Sequence, residues 1–147
     1  MARSSPYLLD TNIVLAGVRN NALGQFLDAT YDLSTARPGP HVSIVTVGEL
    51  QAFAGKLHWG RAKQAALRSV LARLAIYDIS DRFVPAYAAI DTASDALGHR
   101  MGKNDLWIAA TARVLGLTVL TTDKDFDHLH PTWIDREWVD PASQLTP

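Results

Sequence analysis

Four acidic residues mark places where an apolar run or a turn gives way to a helix. Asp10 follows Tyr7-Leu8-Leu9, Glu49 lies just after Val42 to Val45, Asp105 follows Asn104 at a helix start, and Asp123 follows Leu117 to Thr121. Taken singly, each reads as a helix-start acid that caps free N–H groups and favours the positive end of the helix dipole. Thr46-x-x-Glu49 even has the spacing of a capping box. Taken together they imply metal chemistry. Carboxylates brought to one edge repel, by about 4 kcal/mol for a pair roughly 4 Å apart at an effective dielectric of about 20. Their neighbours Thr11, Asn12, Thr46, Asn104, Leu106, Thr121 and Thr122 carry no charge to offset this, and Lys103 and Lys124 are the nearby cations. A divalent cation is the simpler compensator. Oxygen ligands without cysteine, and without histidine at metal spacing, favour Mg2+ or Mn2+ over Zn2+. Mg2+ keeps several of its waters and so can serve a phosphate substrate.

Other residues narrow the chemistry. Arg100, Lys103 and Lys124 flank the acidic motifs and are candidates to hold phosphates, with charge balance for the carboxylates as their competing role. Arg100 and Lys103 are the first candidates for a local basic rim. His128-x-His130 has no third nitrogen ligand at recognisable spacing, so both histidines are expected at the surface rather than on zinc. The tryptophans at 59, 107, 133 and 138 are expected in core or partner contacts. No P-loop, Gly-x-Ser-x-Gly or His-Glu-x-x-His pattern occurs, which removes support for ATP hydrolysis, serine acyl transfer and zincin chemistry. The absence of cysteine excludes disulfides, zinc-thiolate sites and a thiol nucleophile. With 14 Lys and Arg against 15 Asp and Glu, the net charge of -1 gives no broad basic field, so any nucleic acid must be met by a local patch.

The elements that would position these groups alternate. Tyr7 to Leu9 reads as a strand, and Ile13 to Val18 and Ala22 to Leu33 read as helices. Val42 to Val45 is β-branched and strand-like, with a helix opening at Thr46. Trp59 to Ala75 has helical periodicity, with Ala62, Ala65, Ala66, Val70, Leu71 and Leu74 on one face. A short strand at Ala75 to Ile79 precedes a long helical stretch, Asp81 to His99. Asn104 offers a cap for a helix over Asp105 to Leu115, and Leu117 to Thr121 is the clearest buried strand. A helical turn at Lys124 to Leu129 and a last strand at Trp133 to Val139 complete the series. Such alternation predicts a three-layer α/β/α sandwich with a mainly parallel sheet. Ligands of open parallel sheets sit outside the carboxyl ends of the strands, the edge where the acidic residues fall. The 147 residues fit one domain with its core over about residues 7 to 139. The chain has neither an apolar run long enough for a membrane span nor a signal-peptide pattern at its start, so a cytoplasmic location is expected. Arg37-Pro38-Gly39-Pro40 is read as a linker, with a substrate loop as the alternative.

Four motifs carry a family resemblance. Leu8-Leu9-Asp10-Thr11-Asn12, Ser43-Ile44-Val45-Thr46-Val47-Gly48-Glu49-Leu50, Asn104-Asp105-Leu106-Trp107-Ile108-Ala109-Ala110 and Leu120-Thr121-Thr122-Asp123-Lys124-Asp125-Phe126 resemble, in order and spacing, those of the PIN-domain ribonucleases. The likeness is greatest to the VapC-type toxins of toxin-antitoxin pairs and runs from about Tyr7 to Trp138. It implies a Mg2+- or Mn2+-dependent endoribonuclease in which Asp10, Glu49, Asp105 and Asp123 match the metal-binding acids and Thr121 the supporting hydroxyl. Asp125 and Asp127 compete with Asp123 for the last acidic role, but Asp123 aligns with Thr-x-Asp. The resemblance also implies a cognate antitoxin, whose helix would bind a hydrophobic groove, and a homodimer formed through helices, for which Asp81 to Leu97 is the candidate. A structured RNA such as tRNA or rRNA is the expected substrate, because few phosphate contacts require recognition by shape. Two rivals remain: a PIN-like module that binds RNA or protein without catalysis, and a haloacid-dehalogenase-type phosphatase. The phosphatase needs a second Asp two residues after Asp10, where this chain has Asn12.

Overall fold

A computed structural model describes residues 4–147. Five short strands, β1 (Tyr7–Leu9), β2 (His41–Ser43), β3 (Ala75–Tyr77), β4 (Thr118–Thr121) and β5 (Asp135–Trp138), form one sheet in the order β3-β2-β1-β4-β5, parallel at every pairing. Parallel neighbours cannot be joined by a tight hairpin, and helices supply most of the crossovers. α1 (Thr11–Arg19) and α2 (Ala22–Tyr31) lead from β1 to β2, α3 (Ile44–Lys56) and α4 (Arg61–Leu71) lead to β3, and α5 (Val84–Ala96) and α6 (Lys103–Leu115) lead to β4. A single 3-10 turn, Asp127–Leu129, lies between β4 and β5.

Alternation along the two central strands divides the core. Leu9 and Leu120 join one buried cluster with Ile13, Val14, Leu27, Leu50 and Leu67 from α1 to α4. Leu8 and Val119 join the other with Ile90, Leu106, Ile108, Phe126 and Leu129. The sheet is therefore covered on both faces, as the expected three-layer sandwich requires. On α4 the buried residue is Leu67, with Val70 and Leu71 half-buried beside it, whereas Ala62 and Ala65 of the expected apolar face are exposed. Bulkier side chains occupy the contact and displace the alanines from it.

Two expected helix starts lie earlier than the hydrophobic pattern suggests. Ser43 ends β2 and its Oγ accepts the Val45 N–H at 3.1 Å, so Ile44 and Val45 enter α3 instead of prolonging the strand. Thr46 thus lies inside α3 and no capping box forms with Glu49; its hydroxyl is buried with no hydrogen-bond partner among the described residues. Likewise α6 starts at Lys103 after Gly102, which places Asn104 within the first turn rather than at the cap.

Arg37 to Pro40 lies at the amino ends of the strands, away from Asp10. Ser5 N–H donates to the Pro38 carbonyl at 3.2 Å, and Ala75 N–H to the Pro40 carbonyl at 2.9 Å, which ties this connection to the starts of β1 and β3. It acts as the linker expected. A Cβ built at Gly39 would collide with the Arg73 carbonyl, so only glycine permits this approach. Gly39→Ala should therefore lower unfolding free energy by about 1 to 3 kcal/mol in denaturant titration; unchanged stability would show that the approach is not required.

Candidate active site

The register of the central strands builds the site. Leu9 pairs with Leu120, and the Asp10 N–H extends the ladder by donating to the Leu120 carbonyl at 3.0 Å. Asp10 and Thr121 consequently meet at the carboxyl ends of β1 and β4. The Thr121 hydroxyl donates to Asp10 Oδ2 at 2.7 Å, while Asp10 Oδ1 accepts the Thr11 N–H at 2.8 Å as the cap of α1. Asp123 N–H donates to Thr121 Oγ1 at 2.9 Å, which folds the chain after β4 back toward the same point. From α3, Glu49 accepts the Thr11 hydroxyl through Oε1 at 2.9 Å. Asp105 stands half-buried in the first turn of α6.

Asp10, Glu49, Asp123 and Thr121 are thus joined by one hydrogen-bonded chain, whereas Asp105 meets them through electrostatics. Burial pushes Asp105 up to about 7, and the charges of Asp10, Asp125, Asp123 and Glu49 push the same way. Asp10 is also raised, first by burial and then by Asp123 and Glu49, against the lowering effect of its bonds from Thr121 and Thr11. Asp123 is raised by burial and by Asp125. Mutual repulsion of this kind marks candidate functional sites. Asp125 is exposed, as expected, yet it contributes to the field at Asp105 and Asp123.

A divalent cation suits this donor set because its charge would offset the burial and the neighbouring carboxylates that raise Asp105. Among the described residues no three His, Asp and Glu side chains already surround one point. An ion at this edge would be held by one or two of these carboxylates, with water completing its shell, as Mg2+ allows.

Some contributors were not apparent from sequence spacing. Thr11 links Asp10 to Glu49, and the Leu-Asp-Thr-Asn run places it beside Asp10 without indicating a partner on α3. Arg100 shares a cavity with Asp105; Lys103 is exposed at the start of α6 and does not line that cavity. His99 and His128 do line it, so histidines absent from the acidic motifs in sequence are close to Asp105 in space. His128 is half-buried rather than at the surface, and His130 is exposed.

The fold and its acidic edge define a parallel α/β domain suited to divalent-metal chemistry. The family profile described as PIN domain matches residues 7–130, and the chain belongs to the PIN-domain family. Ribonuclease VapC2 of Haemophilus influenzae is 28% identical over 124 residues, covering 84% of this chain and 91% of the relative. Ribonuclease VapC4 of Mycobacterium tuberculosis is 37% identical over 94 residues, covering 58% and 67% respectively. The crystal structure of VapBC2 from Rickettsia felis, bound to a DNA fragment from their promoter, superposes with a TM-score of 0.73 at 25% identity, covering 91% of this chain and 98% of that one.

The pH dependence of stability tests the site. Asp105 ionises at about 7 when folded, against an ordinary value of 3.8, so the folded state retains its proton where the unfolded chain has lost it. That contribution is present at low pH and disappears as pH rises through the folded value. In EDTA the melting temperature should fall from about pH 5 to about pH 8, and Mn2+ should restore it most at the higher pH. Asp105→Asn should flatten both trends. Greater metal-free stability at the higher pH, without a response to Mn2+, would contradict this electrostatic account.

Proposed function

We propose that this chain hydrolyses RNA phosphodiester bonds with Mg2+ or Mn2+ and acts as the toxin of a toxin-antitoxin pair. The observation that carries this reading is the carboxylate edge itself, where Asp10, Glu49 and Asp123 are joined through Thr11 and Thr121 and where burial, and then the neighbouring carboxylates, push Asp105 up to about 7. The similarity to proteins named Ribonuclease VapC supports RNA as the substrate.

Asp10 and Asp105 would hold the ion, with Glu49 and Asp123 as flanking acids. When bound, the ion polarises the scissile phosphate and lowers the pKa of the attacking water. Thr121 aims Asp10 and favours its ionised form by donating to Oδ2, and Thr11 fixes Glu49 relative to α1. Attack by water would leave 5′-phosphate and 3′-hydroxyl ends, whereas attack by the ribose 2′-hydroxyl would leave a cyclic phosphate. A net charge of -1 supports few phosphate contacts, which favours a structured target such as a tRNA or rRNA loop.

The antitoxin would occupy the groove between α1, α2 and α4. This cavity of about 280 Å3 is lined by Leu9, Ile13, Val14, Leu27, Val70 and Leu74. An amphipathic helix could direct apolar side chains into such a groove. The VapBC pairing in the Rickettsia felis structure supports such a partner. A second copy would pack on the α5 face, where Val84 and Leu97 are exposed.

Asp10→Asn should abolish cleavage while the protein stays folded, and EDTA should abolish it in the unmodified chain. Thr121→Val should lower kcat/KM by about 10- to 100-fold, as expected for loss of a partner that orients a ligand. Full activity in Asp10→Asn would refute the assignment, and undiminished activity in EDTA would refute the metal. End-group analysis distinguishes water from 2′-hydroxyl attack. In sedimentation at micromolar concentration the isolated chain should run as a dimer, and a monomer would remove the second-copy interface.

A further inference from the structure

Beside the carboxylates lies a cavity of about 230 Å3 whose lining includes His99, Arg100, Lys124, His128 and Asp105. One wall is a pair of imidazoles, with ring centroids 4.6 Å apart and planes inclined by 10°. A single buried serine holds one ring and the backbone that carries the other. His128 Nε2 lies 2.9 Å from Ser94 Oγ on α5, and the backbone N–H of His99 donates to the Ser94 carbonyl at 2.9 Å. Gly98 turns the chain into this arrangement with φ 76. Burial, and then His99, hold His128 below its ordinary pKa against the opposing effects of Asp127 and Asp125. His128 is half-buried behind the stack and His99 is exposed.

Arg100 and Lys124 share this cavity with Asp105, Asp125 and Asp127, yet neither pairs with them. Among the described residues the one ion pair is Arg136 with Asp127, at 3.3 Å. Lys124 instead stands over the Trp138 ring, with Nζ 4.9 Å from its centroid, and Trp138 is pinned by its Nε1–H to the Thr122 carbonyl at 2.9 Å. The cavity therefore combines a stacked ring with two cations, Arg100 and Lys124, that no carboxylate neutralises in an ion pair among the described residues. Its volume lies below the roughly 300 to 1,000 Å3 of drug-sized sites, a scale that suits one base rather than two.

We propose that this cavity is the subsite for one unpaired RNA nucleotide flanking the scissile bond, with its base stacked on His99 and its phosphate held by Arg100 and Lys124, and that it selects the base accepted there. The inference rests on the ribonuclease reading and assigns a substrate subsite to it. Single-stranded RNA is recognised by such splayed bases on flat side chains and by cations along the backbone.

Binding and cleavage test it separately. A single-stranded oligoribonucleotide containing 2-aminopurine is titrated with Mg2+ into the full chain carrying Asp10→Asn, where cutting is blocked. Its fluorescence should be quenched on binding. His99→Ala added to that protein should remove the quenching and weaken affinity about fivefold or more, and His99→Phe should restore both. Arg100→Gln should weaken binding and reduce the salt slope by about 0.7 while leaving the quenching of bound RNA intact. No quenching in the parent, or unaltered quenching and affinity in His99→Ala, would overturn the subsite. In the otherwise unmodified chain, His99→Ala should relax base preference at one position beside the cut, mapped by sequencing 5′ ends; an unchanged preference would count against it. If the unmodified chain binds and quenches the RNA but cuts no RNA with Mg2+ or Mn2+, the ribonuclease reading fails while the nucleotide subsite stands.

Discussion

Asp10 is only 4% exposed, and its two carboxylate oxygens are held by groups from opposite ends of the chain. Thr11 reaches it from the next residue, and Thr121 reaches it across a separation of 111 residues. A buried carboxylate without such donors would be strongly penalised, so the pairing of β1 with β4 is constrained by polar chemistry as well as by packing. The register that places Leu9 opposite Leu120 also sends Leu8 and Val119 to the opposite core. A slip by one residue would turn both pairs to the wrong faces and separate Asp10 from Thr121.

The strain at this edge follows from the same construction. α1 starts at the end of β1, α3 brings Glu49 to Thr11, and the segment after β4 returns Asp123 to Thr121. Each local bond is favourable, but together they concentrate negative charge around Asp105. The fold holds a concentration of negative charge that a bound cation would offset. The PIN-domain membership of the chain is consistent with that design.

Much of this architecture was legible because strand and helix periods change at chemically informative residues. Leu8, Leu9, Val119 and Leu120 disclose central strands, and Asp10 and Asp123 mark their ends. The failures were local or long-range. Ser43 competes with the β-branched Ile44 and Val45 through a side-chain cap, and a hydrophobic pattern does not report that competition. Asp105 was readable as a helix-start acid, but its elevated pKa depends on burial in the folded chain and then on charges from other segments. The His99 and His128 stack was not legible, since its support comes from Ser94 on α5 and no spacing rule joins the three.

The central claim concerns the proton on Asp105, and a carbon NMR titration of its labelled carboxyl group measures it directly. Without divalent metal the midpoint should lie near the value of about 7 set by burial and neighbouring carboxylates, and saturating Mg2+ should move it sharply downward. A midpoint in the ordinary carboxylate range, unmoved by Mg2+, would contradict the account.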